Sequence, residues 1–219
     1  RVNNNVFNDI EVDFPAIETQ RRIAGILSAY DDLIENNQKK IKLHEEAAQR
    51  LYKEWFVDLR FPGYEDATII DGVPEGWTKG ALGDIALFRR GKTITKAQAR
   101  EGEVPVVAGG LEPAYYHNKA NTVAPVITVS GSGANAGFTR LYHVDVFSSD
   151  CSFADSETTS YIYFVYSFLK DNKTSVDALQ KGAAQPHVYA KDINTLKLMI
   201  PTEVILELFT EYVTPYFET

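Results

Sequence analysis

The 219-residue chain has a single cysteine, Cys151. That excludes an internal disulfide framework and a zinc site built from several cysteines. No apolar run reaches the roughly 18 residues of a membrane span. No signal peptide is visible and none is expected, since Arg1 to Asn8 is polar and no apolar stretch follows. Positive charge is also scarce. With 22 basic against 30 acidic residues the net charge is −8, which disfavours nucleic-acid binding by bulk charge alone and leaves open a local basic face. The chain lacks an initiating Met, so a fragment or a processed product is expected. A soluble, cytoplasmic protein of one or two domains is expected, at about 150 residues per domain.

Catalytic signatures are missing too. There is no phosphate loop and no Gly-x-Gly-x-x-Gly after a strand. Ser132 lies in Ser-Gly-Ser-Gly, but a nucleophile elbow needs glycine two residues before the serine, and position 130 is serine. His117, His143 and His187 have no metal-site spacing, so neither a metal nor a cofactor is expected. Asp150 beside Cys151 raises rather than lowers the thiol pKa, which argues against a reactive thiolate. DNA methyl transfer would need a cofactor loop and an Asn/Asp-Pro-Pro-aromatic motif, and the sequence has neither.

What is present begins with an internal repeat at an offset of 186 residues. Phe7, Ile10, Val12 and Phe14 match Ile193, Leu196, Leu198 and Ile200; Asn8 matches Asn194, and Pro15 matches Pro201. Each copy reads as a short alternating strand stopped by proline, then a helix with proline in its first turn. Ile23, Leu27 and Tyr30 repeat as Phe209, Val213 and Tyr216.

From the first copy the spacing predicts an unbroken helix over 15–59. Leu27, Tyr30, Ile34, Asn37, Ile41, His44, Ala48, Leu51 and Trp55 recur at alternating steps of three and four, the seam of a coiled coil. Such a helix would be about 65 Å long and needs a partner for its seam. Asn37 would fix register at some cost in stability. His44 reads as a half-buried seam residue, because positions i+3 and i+4 are Ala47 and Ala48. Phe61-Pro62-Gly63-Tyr64 ends the helix, and a loop runs on to Gly76. Short strands are then predicted at 104–107 and 123–129, and helices at 160–169 and 176–181. The fold class is α+β: a mixed domain over 61–201 attached to a long coiled-coil helix over 15–60. Segments 1–14 and 202–219 are the end strand of a preceding repeat and the start of a second helix.

Charge is unevenly placed. Residues 85–100 hold Arg89, Arg90, Lys92, Lys96 and Arg100 and no acid, whereas 141–219 hold 5 basic and 11 acidic residues, a local net of −6. Arg89-Arg90-Gly91-Lys92-Thr93 reads as a phosphate-contacting loop in which glycine permits close approach. Ser130, Ser132 and Asn135 sit in a polar glycine-rich loop whose hydroxyls and amide could reach base edges. Gln185 and His187 sit in a third loop, 182–187. The candidate DNA-binding residues are therefore Arg89, Arg90, Lys92, Thr93, Lys96, Ser130, Ser132, Asn135, Gln185 and His187.

With these residues in view, the chain resembles the specificity subunit of type I restriction–modification systems. Phe14-Pro15-x4-Gln20-Arg21-Arg22-Ile23-x3-Leu27-x5-Leu33-Ile34-Glu35-x-Asn37 is similar to that family's conserved helical region. Gly76-Trp77, Arg90-Gly91-Lys92, Ser132-Gly133-Ala134-Asn135-Ala136-Gly137 and Gly182-Ala183-Ala184-Gln185-Pro186 are similar to motifs of its target recognition domain. The resemblance implies two recognition domains held apart by two antiparallel helices, each domain reading half of a split double-stranded DNA target. Methyltransferase subunits would dock on the helices, restriction subunits would join through them, and the chain itself would carry no active site. This chain departs from that pattern. It has one recognition domain, and Leu206-Glu207 stands where the first copy has Gln20-Arg21. It would then be part of a longer subunit, or a half-subunit that pairs with itself through the long helix and reads a palindromic site. The competing readings are the recognition arm of a fused type II restriction–methylation enzyme, and a coiled-coil scaffold without DNA function.

Overall fold

A computed structural model describes residues 13–182 and 184–218. Helix α1 (Ile17–Tyr52) runs without a break through 36 residues, about 54 Å at 1.5 Å per residue. Neither Gly nor Pro interrupts it after Gly25, and i,i+4 pairs such as Glu35–Lys39, 2.6 Å apart, lie on its surface. Pro15 is not in the first turn. It sits two residues ahead, where its carbonyl accepts the Gln20 side-chain amide at 2.7 Å. The first repeat's predicted strand, apart from Asp13 and Phe14, lies outside the described residues.

The chain divides into two units, Arg1–His44 and Glu45–Thr219. In the first, the apolar residues of α1 are exposed: Ile23, Ile26, Leu27, Tyr30, Leu33, Ile34 and Ile41. Leu27 is 57% and Tyr30 63% exposed. Ile26 and Leu33 lie beside the predicted seam, so the stripe is wider than a strict two-position seam.

The second unit begins within α1 rather than at residue 61. Ala48, Tyr52, Trp55 and Phe56 are buried in its core and Leu51 packs against them, so Ala48, Leu51 and Trp55 belong to this core and not to a partner seam. The reason is local. After Tyr52 the helix widens into a π turn (Lys53–Val57), with the Asp58 N–H donating to the Lys53 carbonyl, and the wider turn brings the consecutive Trp55 and Phe56 side chains inward. Leu59 then adopts φ 57°, which ends the helix two residues before Phe61.

The segment read as a loop contains a small hairpin, β1 (Ile69–Ile70) and β2 (Val73–Pro74), turned by Asp71-Gly72 with both φ values positive. There follow β3 (Thr78–Ala81), the single turn α2 (Leu82–Ile85), β4 (Arg89–Arg90), β5 (Val104–Val107) and β6 (Tyr115–His117). Next come β7 (Val126–Ser130), β8 (Thr139–Tyr142), β9 (Phe147–Ser148) and β10 (Cys151–Asp155). The chain continues through α3 (Ile162–Asp171), α4 (Lys173–Asp177), α5 (Ala190–Ile193), β11 (Lys197–Ile200) and α6 (Glu203–Phe217). Strand β7 starts three residues later than predicted, after Pro125. Helix α4 starts before 176 and stops before Lys181, leaving Gly182 in a loop with φ 98°.

The main sheet has the order β4-β10-β7-β8, and all its pairings are antiparallel. One face, with Ile127, Val129 and Ala154, packs in the core that also holds α3, which is buried from Ile162 to Leu169. The other, with Val126, Cys151 and Phe153, packs against Val107 and Val146. A second sheet has the order β6-β5-β9.

The second repeat closes the domain. Strand β11 pairs antiparallel with β3, and Phe209 and Val213 on α6 are fully buried, Phe209 within 4.9 Å of the Phe56 ring and 5.7 Å of Trp55. Pro201 again precedes the helix, with Thr202 as the residue before its first turn. Asn194 donates to the Phe88 carbonyl at 3.0 Å and accepts the Phe88 N–H at 2.8 Å. The repeated asparagine thus clamps the chain just ahead of Arg89.

Candidate nucleic-acid interface

Arg89 and Arg90 form a strand, not a loop. Arg90 pairs with Ser152 and Arg89 with Phe153, and alternation along a strand sends their side chains to opposite faces. Arg89 lies 5.5 Å over the Phe153 ring and 3.5 Å from Asp155, which is 1% exposed. Among the described residues Asp155 Oδ1 has no hydrogen-bond partner, and Arg89 is the cation that faces it. Arg89 therefore neutralises a buried carboxylate of its own domain. Arg90 is freer: its side chain is 68% exposed and 3.9 Å from Asp150.

Gly91 is required by its own chain. A Cβ there would stand 2.5 Å from the Ser148 and Ser149 carbonyls, while its N–H donates to Cys151 at 2.8 Å. Its close approach is to β9 and the turn after it, not to a phosphate. Lys92, Thr93 and Lys96 are exposed beyond it, on a loop tied down by the Lys92 N–H to Ser148 (3.0 Å) and by the Tyr115 hydroxyl to the Ile94 carbonyl (2.5 Å).

Ser130 and Asn135 both bond within their own domain. Ser130 is 2% exposed, and its hydroxyl donates to the Gly109 carbonyl at 3.2 Å; the Asn135 amide donates to the same oxygen at 3.3 Å. Arg140 donates to the Leu111 carbonyl at 2.6 Å and pairs with Glu112 at 3.3 Å. These side chains hold the loop after β5 instead, and Leu111 stands 51% exposed on it.

Ser132 and His187 come together. They form a β-bridge, the Gly133 N–H donates to Pro186 at 3.0 Å, and the Val188 N–H to Gly131 at 3.1 Å. The His187 ring stacks on Tyr189 at 6.0 Å, and Lys191 lies 5.9 Å from the Tyr189 ring. Gln185 is exposed on the same loop. The cleft among Arg90, Asp150, Ser152, His187 and Tyr189 holds about 30 Å³, room for a water or two and not for a nucleotide. What the arrangement offers is a polar surface. Of the predicted residues, Arg90, Ser132 and His187 meet here. Asp150 and Tyr189 join them and were missed. Asp150 carried only the signal of its sequence neighbour Cys151, and Tyr189 lies outside the polar loop.

The remaining histidines of this domain have structural surroundings. His117 is buried and its Nδ1 accepts the Arg100 N–H at 3.0 Å; His143 lies near the Tyr163 and Phe217 rings, and burial lowers its pKa. Burial pushes the Cys151 thiol up to about 11, and its sulfur contacts Ser148 Oγ at 3.1 Å. Among the described residues no group of three or more His, Cys, Asp or Glu side chains could hold a metal ion, and no helix is long and apolar enough to cross a membrane.

This geometry joins a mixed α+β domain, closed by a repeated strand–helix unit, to a long helix with a bare apolar stripe. Residues 74–213, more than half of the chain, match the type I restriction modification DNA specificity domain, and the chain belongs to that family. It is 26% identical to the type I restriction enzyme MjaIX specificity subunit of Methanocaldococcus jannaschii over 96% of this chain and 54% of that protein. The MjaVIII specificity subunit of the same organism is 29% identical over 47% of this chain and 24% of its own length. The chain spans about half the length of the MjaIX subunit. Among solved structures, the type I restriction–modification S subunit from M. genitalium shares the fold over 68% of this chain and 39% of its own, with a TM-score of 0.51 and 18% identity.

Proposed function

We propose that this chain is a non-catalytic, cytoplasmic DNA specificity component that reads one half of a bipartite double-stranded target. The observation that carries the reading is the meeting of Arg90 from strand β4 with Ser132 and His187 from two separate loops on one partly exposed polar surface of a specificity-family domain. The exposed Lys92, Thr93, Lys96 and Gln185 extend it toward phosphates and base edges. With a net charge of −8 the chain supplies only part of the phosphate grip, and bound methyltransferase subunits supply the rest.

The apolar stripe of α1 docks those methyltransferase subunits, and restriction subunits join through them. Its width, with Ile26 and Leu33 beside Leu27, Tyr30, Ile34 and Ile41, suits a partner broader than one helix. Sequencing methylated sites in the host genome tests the function. A split motif that disappears when the chain is deleted supports it; methylation that is unchanged by the deletion contradicts it.

A second reading concerns self-association. Phe209 and Val213 of the second repeat are buried, while their counterparts Ile23 and Leu27 are 47% and 57% exposed. A second copy of the chain could cover that stripe and give a two-fold protein for a palindromic split site. Sedimentation at micromolar concentration tests it: a dimer supports self-pairing, and a monomer of 24.5 kDa rejects it.

A further inference from the structure

Strand β4 and the loops of Ser132 and His187 meet at one carboxylate. Asp150 lies in the turn before β10. Its Oδ2 accepts the Ser132 hydroxyl, its Oδ1 lies 3.9 Å from Arg90, and its backbone carbonyl accepts the Gly131 N–H at 3.2 Å. Gly131 in turn accepts the Val188 N–H, which ties in the His187 loop. The Asp150 side chain is 39% exposed, so it reaches the surface with Arg90.

A carboxylate on a surface that meets a polyanion weakens grip. What it can add is direction. An unheld Arg90 would lose rotamer freedom on contact and would be drawn to the nearest phosphate. At 3.9 Å Asp150 makes an ion pair with Arg90 and not a hydrogen bond; that pairing biases where the guanidinium sits, and its planar donors match guanine O6 and N7. The same carboxylate takes the only proton Ser132 can donate. The Ser132 oxygen is then left as an acceptor, suited to the exocyclic amino group of adenine or cytosine.

We propose that Asp150 is a positioning residue of the reading surface: it aims Arg90 at a guanine edge and fixes Ser132 as an acceptor for an amino group. This rests on the DNA-reading function above. The test is selection of bound duplexes from a randomised library by the full subunit assembled with its methyltransferase subunits, with thermal melting of each variant. Asp150→Asn should relax the preference for guanine at one motif position about tenfold. Binding to unrelated duplex should hold or strengthen, because a negative charge has gone. Arg90→Ala should relax the same position, and Asp150→Asn should add nothing in that background. Ser132→Ala, which removes only the hydroxyl, should relax preference for an amino-bearing base and keeps the idea testable if Asp150→Asn misfolds.

A merely structural role predicts that Asp150→Asn weakens every sequence alike, and that result overturns the proposal. So does an unchanged motif, or relaxation by Asp150→Asn and Arg90→Ala at different positions. A wild-type complex that selects no motif refutes the DNA-reading function itself, which is a different outcome from a wild-type motif that Asp150→Asn leaves intact.

Discussion

Arg89 and Arg90 are consecutive, yet they serve opposite faces of one sheet: Arg89 sits 3.5 Å from buried Asp155, and Arg90 sits 3.9 Å from partly exposed Asp150. A two-residue strand makes that separation unavoidable.

The first prediction follows from this pair. Arg89→Ala strands the Asp155 carboxylate without its facing cation, at a cost of about 1–3 kcal/mol once the exposure of Arg89 is allowed for. Arg90→Ala should change stability by no more than about 0.5 kcal/mol. Thermal unfolding of the two variants should separate them by several degrees; equal melting temperatures would contradict the assignment.

Asn194 gives the second. Its side chain makes both hydrogen bonds of the Phe88 backbone, at 2.8 and 3.0 Å, beside a side chain only 2% exposed. Asn194→Ala leaves both groups unpaired and should cost about 2–3 kcal/mol. Denaturant melts measure it, and a loss below half a kilocalorie would reject the clamp.

Protons give the third. Burial pushes Cys151 up from 9.0 to about 11, with Ser148 opposing and Asp150 adding. Burial likewise raises Tyr52, Tyr166 and Tyr163, the last from 10.0 to about 12, with Asp171, Glu45 and Glu218 respectively adding. The folded protein keeps protons that the unfolded chain loses, so stability present below pH 9 should fall between pH 9 and 11 for Cys151 and from pH 10 upward for the tyrosines. Cys151→Ala should remove the first part of that decline and leave the second. His143 works on the acid side. Its lowered value means that the unfolded chain binds the proton first, so stability should drop as pH falls below 6.5. Melting temperatures that stay flat from pH 5 to 11 would contradict both.

The fourth concerns α1. Leu27→Asp with Ile34→Asp changes two side chains that are 57% and 55% exposed. The domain's melting temperature should be unchanged while co-purification with methyltransferase subunits is lost. A lower melting temperature with the partner still bound would mean that the stripe packs within the chain.

Much of this architecture was legible in the sequence because its signals are periodic. The step of three and four along α1, the apolar density of α3 and the strand–proline–helix order of the second repeat copy all survive as elements. The site was read less well. Arg89-Arg90 has the composition of a loop, and only its pairing with Ser152 and Phe153 makes it a strand. Ser130 and Asn135 look like base readers, but their partner is the Gly109 carbonyl, 21 and 26 residues away. The coiled-coil pattern continues through Ala48, Leu51 and Trp55, where the aromatic residues Tyr52, Phe56, Phe164 and Phe209 supply the packing surface from within the chain. Local pattern cannot say which distant surface meets a given apolar stripe.

The central claim is that one domain reads and the helix only organises. Exchanging residues 45–201 for the matching segment of another specificity subunit, with α1 up to His44 kept, tests it most directly through the methylated sites in the host genome. One half of the split motif should change, while the other half and the spacing between them persist. An intact complex that still methylates the original motif would contradict the account.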